Sequence, residues 1–250
     1  MPKECAYCGL PRRPTREHIW PNGFLRRGSF GLKYSARAGR TFEGDLIVRD
    51  VCETCNNGPL GALDSYACDL YDSNFGRFPE HFTPVRFAFE YSKLVRWLIK
   101  IAFNSARTQG HDDAELLGRY RSVILGKGDS CLLNVDVFVA LVGPGMLEFG
   151  PGRPNRKIYP QAARSGPLII PDVDGYQHVS TRMVMINGYF FTLILSRYPT
   201  MPREDVIELL RRIPGEPLAL DGEMELITTL NANQALAGIR DWPRGSKGKR

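Results

Sequence analysis

Four of the six cysteines in this 250-residue chain form two Cys-x-x-Cys pairs, Cys5-Ala6-Tyr7-Cys8 and Cys52-Glu53-Thr54-Cys55, with 43 residues between them. Each pair can turn as a tight knuckle in which two thiolates converge. Two knuckles supply the four soft ligands of a tetrahedral zinc site. The long spacing costs little, because closure entropy grows slowly with loop length. A closed four-cysteine site leaves no position for water, so its role is structural. It is worth about 10–16 kcal/mol to the folding of a small module. A redox dithiol is the competing reading. Cys68 and Cys131 have no such partner and read as small buried hydrophobes.

A second group of residues lies between and after the knuckles: Glu17-His18-Ile19-Trp20-Pro21, then Asn56-Asn57-Gly58 directly after Cys55. A neutral imidazole can take a proton from water at neutral pH. Carboxylate and amide oxygens are hard ligands suited to a divalent cation. Such a cation polarises a scissile phosphate and stabilises the departing oxygen. The chemistry these residues suggest together is phosphodiester hydrolysis.

The set Cys5-x-x-Cys8, Glu17-His18-Ile19-x-Pro21 and Cys52-x-x-Cys55-Asn56-Asn57-Gly58 resembles the zinc-bearing branch of the HNH endonuclease family, over about residues 1–70. The resemblance implies a β-hairpin followed by a helix, with metal gripped between them. By position it makes His18 the general base, Glu17 the acidic ligand and Asn56 the third-letter ligand of a catalytic Mg²⁺ or Mn²⁺, separate from the zinc. The chain departs from the pattern twice. Residues 44–51 hold no Asn to orient the base, a role left open to Asn57, Asp50 or a backbone carbonyl. Leu60 stands where some members carry a further ligand.

The charge is uneven. Lys and Arg total 33 against 27 Asp and Glu, yet residues 1–40 alone hold nine basic side chains and two carboxylates. Arg12, Arg13, Arg16, Arg26 and Arg27 surround the Glu-His pair and suit phosphate contacts, where each cation displaces condensed counterions. DNA is the expected partner, ahead of RNA. The competing function is a zinc-stabilised nucleic-acid-binding protein without catalysis, in which Glu17 and His18 only pack a loop.

These residues need positioning elements, and residues 1–60 are too rich in Gly, Pro and Arg to build a hydrophobic core of their own. Helical spacing of Leu60, Leu63, Ala67 and Leu70 sets a helix after the second knuckle. Residues 73–87, with two prolines, read as a linker. Phe89, Leu94, Trp97, Leu98, Ile101 and Ala102 mark a helix over 89–106, with Lys93, Arg96 and Lys100 on its polar side. A shorter helix is expected at 112–120. Strands are expected at 132–142, 167–171, 178–186 and 189–197, with Asn187-Gly188 as a hairpin turn, and a last helix at 203–212. The fold class is α+β: a nuclease module over 1–75, a mixed domain over 85–240 and a basic tail over 241–250. The second domain is open to substrate recognition, homodimerisation or ligand sensing. A composition of 43% hydrophobic and 24% charged residues excludes a disordered or collagen-like chain. There is no run of 18 apolar residues for a membrane span. An N-terminus without an apolar signal sets the expectation of a cytoplasmic, reducing setting, where paired cysteines bind metal.

Overall fold

Helix α4, Tyr91–Gln109, organises the molecule. Its central stretch is covered on all sides, polar residues included: every residue from Leu94 to Ala106 except Arg96 is buried. It stops at Gly110, whose φ of +71° ends the helix in the left-handed conformation that glycine adopts without penalty. The computed structural model describes residues 4–28, 33–35, 40–42, 46–128, 135–147, 154–161, 163–169, 178–198 and 207–231. The tail 241–250 and Cys131 lie outside them.

One side of α4 carries the N-terminal elements. In order these are β1 (Pro14–His18), α1 (Asn22–Arg27), the short hairpin β2 (Lys33–Ser35) and β3 (Arg40–Phe42), then β4 (Ile47–Cys52). β1 pairs antiparallel with β4, Pro14 opposite Cys52 and His18 opposite Ile47. From Cys52 the chain winds as one helical stretch: α2 (Glu53–Cys55), a wider π turn over Asn56–Leu60, α3 (Gly61–Leu70), and a second π turn over Tyr71–Phe75. The first π turn kinks at Gly58, with φ −91° and ψ −107°, just before Pro59. β5 (Val85–Ala88) then leads into α4.

The other side of α4 carries a sheet. After α5 (Ala114–Gly118) and α6 (Arg121–Ile124) come β6 (Val135–Gly143), a small hairpin of β7 (Gly145–Leu147) and β8 (Arg156–Ile158), β9 (Ala163–Pro167), β10 (Val179–Ile186) and β11 (Tyr189–Ser196). α7 (Ile207–Arg212), β12 (Glu216–Pro217), β13 (Glu223–Leu226) and β14 (Thr228–Asn231) follow. The strand order is β12-β6-β11-β10-β9; β14 pairs parallel with β6 along Leu141–Gly143, past the stretch that β12 pairs, while β13 pairs with β5. The β10–β11 hairpin turns at Asn187, φ +49°, and Gly188. A Cβ on Gly188 would meet Pro79 at 2.5 Å, so the expected turn is also a close contact.

Three sequence expectations shift. The stretch read as a linker begins with the π turn that buries Phe75, which packs on Phe24, Phe87, Tyr189 and Phe191. Of the strand expected at 167–171, Pro167 closes β9, Ala163–Pro167, Leu168 and Ile169 follow it outside any strand, and residues 170 and 171 lie outside the described residues. β9 forms earlier than expected because antiparallel pairing with β10 (Ile186 opposite Ala163) outweighs its own polar sequence. Lys100, expected on the polar side of α4, has no exposed surface. One continuous core joins Cys5 and Tyr7 through Trp20, Phe24 and Trp97 to Phe191 and Leu195.

Candidate metal centre and the residues around it

The ligand sulfurs of Cys5, Cys8, Cys52 and Cys55 all lie within 4.8 Å of one another. Cys8 Sγ and Cys52 Sγ are 3.8 Å apart. A tetrahedron of sulfurs with metal bonds of about 2.3 Å has edges of about 3.8 Å, so the cluster fits a metal ion such as zinc. The backbone prepares it. Gly9, at φ +72°, turns the first knuckle, and its N–H donates to the Cys5 carbonyl at 2.9 Å. The Cys52 N–H donates to Cys5 Sγ at 3.3 Å, the donor pattern that stabilises a thiolate. Burial alone would raise the Cys5 thiol, but the N–H groups of Cys8, Cys52 and Tyr7 outweigh it and bring it down to about 7. Burial and the neighbouring thiols push Cys55 the other way, well above its ordinary value. Four sulfurs this close together could hold a metal ion such as zinc.

The first knuckle is fastened to the elements around it. Ala6 N–H donates to the Asp50 carbonyl at 2.8 Å, and the Tyr7 hydroxyl donates to Asn104 Oδ1 at 2.8 Å.

Next to the cluster, the β1–β4 pair has a bulge. Thr15 faces Val51 but Glu17 faces Val48, so Arg49 and Asp50 together oppose Arg16. Val48 and Val51, three residues apart, would otherwise point to opposite faces; the extra residue lets both enter the core, 8% and 0% exposed. Asp50 is turned toward α4, where Arg107 Nη1 holds its carboxylate at 2.5 Å.

Strand alternation separates Glu17 from His18. Glu17 and Ile19 point inward, 3% and 1% exposed, while Arg16 is exposed and His18 half-buried on the other face. Glu17 Oε1 lies 2.6 Å from Lys100 Nζ, and Asp64 Oδ1 lies 2.6 Å from the same nitrogen. Burial works against the ammonium, yet the carboxylates of Asp64 and Glu17 outweigh it and hold Lys100 above its ordinary value. Burial pushes the Glu17 carboxyl up. A buried carboxylate already holding a buried ammonium does not fit the open ligand of a hydrated, exchangeable ion.

Asn56 comes to the strand that carries the histidine. Its side-chain N–H₂ donates to Thr15 Oγ1 at 2.8 Å and to the Arg16 carbonyl at 3.0 Å. Asn57 is exposed beside it. All five arginines, Arg12, Arg13, Arg16, Arg26 and Arg27, are exposed, but two of them are held by neighbours. Arg12 donates to Thr54 Oγ1 at 2.7 Å, beside the second knuckle. Arg27 is clamped on both oxygens of Asp72, at 2.7 and 2.9 Å. Asp72 lies sixteen residues past Asn56 on the helical stretch, on the order of 20 Å away at 1.5 Å per residue. Arg26 and Arg27 therefore belong to the far end of the module.

Sequence reasoning missed four participants. Lys100, Asn104 and Arg107 recur at helical spacing on α4 and all reach into the N-terminal elements. The signal was a polar stripe on a helix otherwise apolar all round, which must be buried with partners. Arg49 is exposed on β4 between the inward Val48 and Asp50 and shares the outer side of the strand pair with Arg16 and His18. Among the described residues, the four cysteines are the only group of three or more ligating side chains placed to hold a metal, and no helix is long and apolar enough to cross a membrane. Compared with protein-family models, with curated proteins and with solved structures, the chain matches none.

Proposed function

We propose that the protein is an HNH-type endonuclease that hydrolyses phosphodiester bonds of DNA, with His18 as general base and a structural zinc on Cys5, Cys8, Cys52 and Cys55. The observation that carries this reading is the seat of Asn56. Its amide is bonded to Thr15 and to the Arg16 carbonyl, two residues from His18, while the sulfur cluster pins the strand pair and the helix behind it. Two antiparallel strands followed by a helix, with a bulge beside the histidine, give a base held on rigid elements. Arg16 and Arg49 on the same outer side supply cations for phosphate.

In this reading His18 accepts a proton from water as the water oxygen attacks phosphorus, the bond to the departing 3′ oxygen breaks and that oxygen takes a proton from solvent, while Arg16 and Arg49 draw the backbone to that face. The divalent cation that the resemblance calls for, Mg²⁺ or Mn²⁺, has no ligand in Glu17 while Lys100 holds that carboxylate. The Glu17–Lys100 pair favours a second reading, a zinc-stabilised nucleic-acid-binding protein in which Glu17 serves only packing.

One assay separates them. Wild type and His18→Ala, both zinc-loaded and folded, are incubated with single- and double-stranded DNA and RNA, with and without Mg²⁺ or Mn²⁺. The nuclease reading expects cutting by wild type and its loss, by about 10²-fold or more, in His18→Ala. Binding without cleavage in every condition establishes the second reading.

A further inference from the structure

We propose that Lys100 is the resident cation of the Glu17–Asp64 pair, occupying the position a divalent ion would take and excluding such an ion from Glu17. The inference deepens the nuclease reading, since it concerns the ligand set of that site, but its geometry stands without any cleavage step. Lys100 Nζ lies 2.6 Å from Glu17 Oε1 and 2.6 Å from Asp64 Oδ1, so the two carboxylate oxygens converge on one point from different elements, β1 and α3. The point is sealed: the Lys100 side chain is 0% exposed and that of Glu17 4%, with Asp64 at 21% the one partial opening. Two carboxylates converging in a low-dielectric interior require a counter-charge, and here α4 provides it covalently.

An ion and the ammonium cannot share the position. A divalent cation within a few ångströms of Nζ meets a like charge in an enclosed site where repulsion is little screened. Lysine also differs from an ion in being permanent: it neither dissociates nor brings water. The rest of the stripe fits the same arrangement. Asn104 and Arg107, further along the same face of α4, hold Tyr7 and Asp50 of the N-terminal elements, so Lys100 is one of three side chains by which the helix binds that module. Removing the charge while keeping the stem, as in Lys100→Met, leaves two carboxylates around an empty point with oxygen ligands suited to Mn²⁺ or Ca²⁺.

The test is Mn²⁺ binding by electron paramagnetic resonance together with thermal melting in Mn²⁺ or Ca²⁺, on the full zinc-loaded chain of wild type, Asp64→Asn and Lys100→Met. Wild type and Asp64→Asn are expected to bind Mn²⁺ alike and to melt without a Mn²⁺-dependent rise that distinguishes them. Lys100→Met is expected to melt lower than wild type, to recover with Mn²⁺ or Ca²⁺, and to bind Mn²⁺ at least about tenfold more tightly than wild type, since a ligand bound only by the folded state raises its stability. A Mn²⁺ site in wild type that Asp64→Asn abolishes overturns the proposal, as does a folded Lys100→Met that gains neither Mn²⁺ affinity nor stability. If Lys100→Met does not fold even in Mn²⁺, the wild-type and Asp64→Asn pair decides alone. None of these measurements involves cleavage, so failure of the nuclease reading leaves the result intact.

Discussion

The Tyr7 hydroxyl, inside the first Cys-x-x-Cys knuckle, donates a 2.8 Å hydrogen bond to Asn104 Oδ1 in the middle of α4, 97 residues away. Both groups are buried, and Arg107 Nη2 donates to the same oxygen at 2.7 Å. The knuckle is thus bonded directly to the central helix. Tyr7→Phe removes the donor but keeps the ring against Phe103, at 5.4 Å between centroids. The expected cost is about 1–2 kcal/mol, read as a shift of the urea midpoint without a change in slope.

Zinc content separates the cysteines into two kinds. Wild type is expected to purify with one zinc per chain, and Cys52→Ser to lose it and to melt well below wild type. Cys68→Ser is expected to keep the full stoichiometry, because Cys68 lies apart from the cluster near Gly23. Elemental analysis beside a melting curve checks both. Full zinc in folded Cys52→Ser argues against a four-cysteine site.

Salt dependence reports the outer face of the strand pair. If Arg16 and Arg49 each neutralise a phosphate, Arg16→Ala and Arg49→Ala each weaken DNA binding evenly across sequences. Each also reduces the slope of log affinity against log salt by about one. Arg27→Ala, whose guanidinium is occupied by Asp72, is the matched control and is expected to leave the slope unchanged.

Acid sensitivity is expected at Asp113. Burial would raise its carboxyl, but the Arg182 guanidinium and the Ser180 hydroxyl outweigh it and hold the group below its ordinary 3.8. A carboxyl lowered by folding contributes stability that is complete above about pH 4 and is lost as pH falls toward its folded value. Asp113→Asn flattens that acid limb. It also costs about 3 kcal/mol at neutral pH, since Arg182, with no exposed surface, loses its charge partner. Urea denaturation from pH 3 to 7 on both proteins measures the difference.

Phe24 tests whether the chain unfolds as a unit. It is fully buried on α1 and touches Tyr71, Phe75 and Trp97, so it joins the N-terminal elements to α4. Phe24→Ala is expected to cost about 3–5 kcal/mol. The loss should appear as one transition moved to lower temperature by both near- and far-ultraviolet dichroism.

Much of the framework was legible because it rests on local signals. The period of α4, the β-branched run of β6 and the Asn187-Gly188 turn each declare themselves within a few residues, and so do the paired cysteines. Glu17 was legible as a chemical group but not in its direction. A strand shows only two faces, and which face meets the core depends on α4, eighty residues away. Lys100 stands in the sequence on the polar side of a helix, and its partners lie on β1 and α3, a contact at a range that no local pattern announces. Arg27 likewise resembled a phosphate ligand until the distant Asp72 claimed it.

The polar stripe of α4 also has a consequence for synthesis. A nascent chain that has exposed all four cysteines still lacks Lys100, Asn104 and Arg107, the folded-state partners of Glu17, Tyr7 and Asp50. A fragment ending at Phe75 would lack Lys100, Asn104 and Arg107, and is expected to be less stable than one that runs to Gly110.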